Sequence, residues 1–277
     1  MSACPNSADP RTLIPLPDEA RIMRQVRFRD PDDDVRYGEW TDAGTIHADP
    51  KREGRVTDET ETLDSESVDV IPPCEPSKIV CIGLNYADHA AEQGMDVPDR
   101  PLLFLKTPNA VASHGSTVEL LPDKERLEYE AELGVVVGRT CRNIETGTVD
   151  DVVAGYLPVI DMTAEDILQR NPRFLTRAKS FDTFLIPGPT IAVPEGSPDL
   201  SSVSVRTEVN GETKAENRVA NMLFPPAEIV AFHAGVMTLQ PGDLFSTGTP
   251  GAAPINPGDE VRAVVESVGS VEAPVTR

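Results

Sequence analysis

Four cysteines, four histidines, one tryptophan and an aromatic content of 5% are all that 277 residues offer of those types. Cys4, Cys74, Cys81 and Cys141 show no Cys-x-x-Cys spacing. That excludes a zinc ribbon, and four cysteines in a chain of this length do not make a disulfide scaffold. They read as small buried thiols in a reducing cytoplasm, where the protein is expected. No segment approaches the ~20 apolar residues of a membrane span. The opening MSACPNSADP has neither the basic nor the apolar region of a secretory signal. Positive charge is scarce as well: 25 Lys and Arg face 46 Asp and Glu, for a net charge of −21. Such a balance argues against nucleic acid and anionic membranes as partners. Only six of the basic residues are lysine. High acidity with arginine preferred to lysine fits a halophilic protein, since molar salt screens charge over ~3 Å. Most individual acids in such a chain serve solvation. There is no Walker lysine, no Gly-x-Gly-x-x-Gly, no Gly-x-Ser-x-Gly elbow and no His-Glu-x-x-His.

Proline (26) and glycine (19) are plentiful, which predicts many short strands joined by tight turns. Between about residues 22 and 49, the strand-like pieces RQVRF, VRYGEW and TIHA alternate with the turns DPDDD and TDAG. The polar stretch KREGRVTDETETLDSESVDV and the proline-rich IPPCEP follow. Residues 1–72 therefore read as a small N-terminal β domain with a linker, and 73–277 as the main domain. There KIVCIGL, PLLFLK, EYEAELGVVVG, LPVIDMTA, TIAVP, SVSVRTEVNG, DLFSTG and DEVRAVVESVG read as strands. Helices are expected in NYADHAAEQGM, TVDDVVAGY, EDILQR and PPAEIVAFHAGV, and a proline-punctuated loop after EDILQR. Strict βαβ alternation is missing, so a doubly wound sheet is not expected. The fold class is mainly β with a few helices (α+β).

Glu130 and Glu132 are two apart in a strand, so both side chains face one side, roughly 7 Å apart along it. Beside the apolar Val135, Val136 and Val137 they form either a solvent-facing acidic edge or the ligands of a hard cation. Asp161, after the apolar GYLPVI, offers a third acid. Three carboxylates without histidine suit Mg²⁺ and not zinc. His89 and Glu92, three apart, share a helix face: a surface pair, or a general base with its partner. Lys179, flanked by Phe181 and Phe184, and Lys106, ending LLFLK, are either element-end lysines with snorkelling heads or cations for an enolate or substrate carboxylate. The STGTPGA segment around Thr249 reads as a tight turn presenting amides and hydroxyls to a carboxylate or oxyanion. His47, His114 and His233 read as structural.

Taken in order, IGLNYADHAAE, PLLFLKTPNAV, EYEAELGVVVGR, AGYLPVIDMTAED, RAKSFDTFLIPGP, TEVNGE and FSTGTPGA resemble the fumarylacetoacetate hydrolase family over roughly residues 78–270. The piece VRFRDPDDDVRYGEW is similar to the small leading domain of many bacterial and archaeal members. The resemblance implies a homodimer with the family's β-roll or sandwich catalytic domain and one Mg²⁺ or Mn²⁺ per subunit. By motif, it implies Glu130, Glu132 and Asp161 as metal ligands and His89 with Glu92 as a water-activating pair. Lys179 and Thr249 would contact substrate, with Lys106 as a further substrate-binding candidate. The implied substrates are 2-oxo or 1,3-dicarbonyl acids, undergoing C–C hydrolysis or decarboxylation. The alternative is isomerisation or hydration of unsaturated 2-oxo diacids. A non-catalytic carboxylate-binding protein on the same fold is a third possibility.

One segment departs from the family pattern. Where members read Asp-x-Thr-Ala-Arg-Asp-x-Gln, this chain reads DMTAEDIL, with Glu165 and Leu168 in place of the arginine and glutamine. A replacement cation from Arg170, Arg173 or Arg177 is expected, or else a less anionic substrate.

Overall fold

The computed structural model describes residues 14–15, 22–41, 43–49, 61–120 and 126–277. Cys4, the opening segment and the first half of the polar stretch lie outside the described residues. Two packed β-sheets dominate, with short helices at their ends, in agreement with the mainly β reading. Thirteen strands form the larger sheet and five the smaller.

The axis of the large sheet is an antiparallel pair, Leu127–Val137 with Val153–Ala164, hereafter the glutamate strand and the aspartate strand. Side chains alternate along both. Tyr129, Ala131 and Leu133 are fully buried on the glutamate strand, and Val205, Val261, Ala263 and Ala273 are fully buried on the small sheet. The two sheets meet through the glutamate strand and the Ser204–Val209 and Glu260–Val265 strands. Thr207, wholly buried there, accepts from Ala131 N at 3.2 Å and donates to Gly251 O at 3.1 Å, so a polar group in the contact is satisfied. In Gly269–Thr276 buried and exposed residues alternate, as expected of a strand with one face in water.

On its far side the glutamate strand pairs with Leu244–Ser246, which runs parallel to Ile79–Gly83. Leu102–Lys106 completes that flank. On the other flank, Thr190–Val193 joins the aspartate strand to Met23–Arg29, and the sheet continues through Val35–Trp40, Thr45–Ala48 and Glu61–Asp64. The N-terminal hairpins thus extend the main sheet while keeping a small core of their own around Val26, Phe28, Ile46 and Ala48.

Three segments differ from the sequence-based expectation. The second half of the polar stretch is ordered: Glu61–Asp64 pairs with Thr45–Ala48. In this four-residue strand only Leu63 packs on the small core and the other three residues are exposed, which is why its sequence lacks apolar alternation. The helix expected over TVDDVVAGY is a short 3₁₀ turn, Thr146–Asp151, and Val153 onward already belongs to the aspartate strand. Its β-branched residues are held by pairing instead. The loop after EDILQR contains a helix, Leu175–Lys179. The strands Glu212–Arg218 and, in part, Gly269–Thr276 were not foreseen, the former because it is largely exposed.

Gly155 sits where the aspartate strand changes partner toward Thr190–Val193, at φ +157°. A Cβ there would collide with the Ala192 carbonyl and lie 2.6 Å from Ile191 Cγ2. Backbone cannot retreat as a flexible side chain does. Gly155→Ala is expected to lower stability by about 2–3 kcal/mol, the scale of core overpacking, in a denaturant titration.

Candidate active site

The register of the two central strands assembles the site. Glu130 pairs directly with Asp161, and Glu128 with Thr163. Alternation then places Glu128, Glu130, Glu132, Asp161 and Thr163 on one face, opposite the residues packed on the small sheet. Oxygens of Glu130, Glu132 and Asp161 come within 4.8 Å of one another. Asp161 is fully buried and Glu132 nearly so. The solvent-facing alternative for this pair does not hold.

Three buried carboxylates repel one another, and two lysines offset much of this. Lys179, at the end of the Leu175–Lys179 helix, bonds Glu130 and lies 3.2 Å from Asp161 Oδ2. Its ammonium is also 5.4 Å from the centre of the Phe104 ring. Burial works against that ammonium, but Asp161, Glu130 and Glu132 outweigh it and raise its proton affinity. Lys106 is wholly buried, bonding Asp161 Oδ1 and, at 3.0 Å, Met162 O. Burial lowers its proton affinity, with Asp161 opposing. Glu132 is held differently: Ser246 Oγ and Gly248 N donate to its Oε2 at 2.6 and 2.7 Å. The loop expected to bind a carboxylate therefore binds one belonging to the protein. Gly248 adopts φ +99°, and a Cβ would lie 2.7 Å from Asn85 Cβ. Asn85 ties this loop to the chain leading into the His89 helix, donating to Thr247 O and Phe224 O and accepting from Phe224 N.

A cavity of about 430 Å³ opens over this floor. Glu128, Glu130, Glu132, His89, Lys179 and Thr249 line it, together with Thr163, Glu165, Leu168 and Gln169. His89 lies on the Ala87–Glu92 helix, buried, with Nδ1 3.7 Å from Glu92 Oε2. That separation is an ion-pair distance and too long for a hydrogen bond. Thr249 Oγ1 donates to Gly251 O at 3.0 Å. Of the expected site residues, Glu92, Lys106 and Asp161 are not among those lining the cavity: Glu92 is exposed, and Asp161 and Lys106 are buried together beneath the cavity floor. Arg170, Arg173 and Arg177 do not line it either. His233 is buried in the Pro226–Val236 helix with Nδ1 2.7 Å from Ile229 O, a packing role.

Sequence reasoning missed several wall residues. Glu128 continues the period-two series of Glu130 and Glu132, and Thr163 stands two after Asp161, so alternation alone would have found both. Gln169 sits one position beyond Leu168 on the Glu165–Arg170 helix. Ser246 and Gly248 lie in the STGTPGA segment expected to present hydroxyls and amides to a carboxylate, but that the carboxylate is Glu132 depends on an antiparallel neighbour far away in sequence.

The donor set fits a hard divalent cation: three carboxylates, no sulfur or imidazole, and Asp161 Oδ2 buried without a well-formed hydrogen bond. Among the described residues this is the one group of acids, histidines or cysteines so arranged.

Fold and cavity together define a mainly β protein with a carboxylate cluster at the floor of a ligand-sized pocket. Residues 78–276 match the fumarylacetoacetate (FAA) hydrolase C-terminal family, and the chain belongs to it. It is 38% identical over 221 residues to the 4-hydroxyphenylacetate degradation bifunctional isomerase/decarboxylase of Escherichia coli, covering 79% of this chain and 51% of that protein. The structure of 5-carboxymethyl-2-hydroxymuconate delta-isomerase from Mycobacterium smegmatis matches with a TM-score of 0.82 and 31% identity, over 92% of this chain and 100% of the other. Fumarylpyruvate hydrolase from Pseudomonas aeruginosa, solved with Mn²⁺ and pyruvate, matches with a TM-score of 0.68 and 26% identity, over 75% and 91%. Among the described residues no helix is long and apolar enough to cross a membrane.

Burial, followed by the charges of Asp161 and Glu130, pushes the Glu132 carboxyl from 4.5 up to about 8. A group whose pKa is raised on folding adds stability below its unfolded value and loses it as pH rises through the folded value. In chelator, the melting temperature should therefore carry a component that falls between about pH 5 and about pH 8. Glu132→Gln is expected to remove that component, as read by thermal unfolding across the range.

Proposed function

We propose that the protein is a divalent-metal-dependent enzyme acting on a 2-oxo or 1,3-dicarbonyl acid by C–C bond hydrolysis or decarboxylation. The observation that carries this reading is the clustering of Glu130, Glu132 and Asp161, with both glutamates lining a cavity that His89 and Lys179 also line. Glu130, Glu132 and Asp161 would hold Mg²⁺ or Mn²⁺, which supplies Lewis acidity toward a chelating 2-oxo carboxylate. Lys179 adds a fixed positive charge beside the oxygen on which the enolate forms. His89 accepts a proton from water as the oxygen attacks the second carbonyl. Glu92 steadies the imidazolium that results, closing the 3.7 Å gap. When the C–C bond breaks, its electron pair passes into the enolate, and His89 returns the proton to that carbon. Thr249, Thr163 and Gln169 present neutral hydrogen-bonding groups to the rest of the substrate. In decarboxylation no water attacks, and Lys179 would again stand beside the oxygen of the forming enolate. The protein is proposed to work as a homodimer in a cytoplasm rich in salt, as its charge suggests.

Similarity to an isomerase of M. smegmatis and an isomerase/decarboxylase of E. coli supports a second reading, isomerisation of an unsaturated 2-oxo acid. His89 would then move a proton between carbons and no water would add.

Two measurements test the proposal. In a Mg²⁺ or Mn²⁺ assay that records pyruvate release separately from double-bond migration, pyruvate release is expected. Glu132→Gln should lose calorimetric metal binding and turnover together; intact turnover in that variant would sink the reading. Lys106, screened from the cavity by Asp161, is assigned here to holding that carboxylate. Lys106→Met should cost about 3–5 kcal/mol of stability in chelator, the scale for breaking a buried ion pair. Any remaining turnover should show an unchanged KM.

A further inference from the structure

The charges around the cavity are divided between its two ends. At the floor, three carboxylates face the ammoniums of Lys179 and Lys106. With a divalent ion added, that end carries one net positive charge, which suits one substrate carboxylate. This step rests on the metal-dependent reading above. The outer end is the reverse. Glu128, two residues from Glu130 and paired with Thr163, and Glu165, two residues past Thr163, line the cavity on that side. Glu128 accepts from Arg126 Nε at 2.9 Å and is neutralised there. Glu165, first residue of the Glu165–Arg170 helix, has no hydrogen bond or ion pair from its carboxylate among the described residues. Lys179 is committed to the floor, and Arg177 is stacked over the Phe174 ring, 5.9 Å from its centre. Among the described residues the cations that bear on Glu165 are Arg126, already paired with Glu128, and Lys179, so none is left unpaired for a second substrate carboxylate there.

Between the ends the wall is apolar or neutral. Met95, Leu102, Leu103, Leu168, Pro172 and Leu175 supply hydrocarbon. Thr163 also lines the cavity, 2% exposed, with its hydroxyl buried and without a hydrogen-bond partner. An unsatisfied buried hydroxyl is costly, so a ligand oxygen there is favoured. We infer that the cavity selects 2-oxo acids with a single carboxylate and an uncharged, largely apolar acyl chain, and that Glu165 is the residue that rejects a second carboxylate. Rejection of this kind works by a repulsive element built against the competitor, alongside attraction for the preferred substrate. A carboxylate at the chain's far end would be desolvated beside a fixed carboxylate. A methyl group would meet only hydrocarbon.

A matched pair of substrates isolates this effect. 2,4-Dioxoheptanoate and 2,4-dioxoheptanedioate have the same carbon chain and differ only at the last carbon. Hydrolysis adds one water to each, giving pyruvate with butanoate from the first and pyruvate with succinate from the second. The monoacid is expected to be preferred by at least about 10-fold in kcat/KM, with the difference mainly in KM. Glu165→Gln should shrink the ratio, and Glu165→Arg should reverse it. Calorimetric binding of 2-oxoheptanoate and 2-oxoheptanedioate in Mg²⁺ reads the same preference without requiring turnover. If neither dioxo acid is hydrolysed while the monoacid analogue binds more tightly, the selectivity holds and the hydrolytic reading fails. A diacid bound or hydrolysed as well as the monoacid, or a ratio unmoved by both Glu165 variants, overturns the inference.

Discussion

The direct pairing of Glu130 with Asp161 across two central strands is the constraint on which the rest of the structure depends. It puts like charges together in a place with little water, which is unfavourable unless cations are supplied. Two of the chain's six lysines are spent there, one from a sheet edge and one from a short helix. The rest of the arrangement follows from holding these groups in register. The small sheet packs on the opposite face of the glutamate strand, so the carboxylates cannot rotate away without opening the core. The Thr247–Thr249 loop closes one side through Gly248 and Ser246, and Asn85 couples that loop to the His89 helix.

Much of this was legible from local pattern. Period-two alternation identified Glu130 and Glu132 as neighbours on one face, and the position of Asp161 after an apolar run offered it as a third acid. The Ala87–Glu92 helix and the long apolar helix Pro226–Val236 were equally plain. What was not legible has a common cause: it depends on partners distant in sequence. Val153–Tyr156 looks helical until the neighbouring strand is known. Glu61–Asp64 looks like a linker because only Leu63 of that short strand packs on the N-terminal core. Lys106 and Lys179 have similar local settings, yet one is sealed behind Asp161 and the other lines the cavity. Arg170, Arg173 and Arg177, the expected replacement cations, are close to the cavity in sequence but do not line it.

The division of labour between the two lysines is instructive. Lys106 has its ammonium bonded to a carboxylate and a carbonyl, so it behaves as part of the scaffold. Lys179 closes a helix, touches two carboxylates and faces an aromatic ring, leaving it able to respond to what enters the cavity. A cluster with one fixed and one responsive cation keeps its geometry while its charge is redistributed.

The N-terminal hairpins bear on a different property. Without them, Thr190–Val193 would expose a row of backbone donors and acceptors at the margin of the large sheet. Among the described residues their addition moves that margin outward to Glu61–Asp64, where Glu61 is paired with Arg36 and Asp64 is exposed. A short sheet margin carrying charged side chains discourages pairing with a second margin. In a molecule with so many β-strands, the appended unit thereby acts as a guard against edge-to-edge aggregation, independent of any part it plays in catalysis.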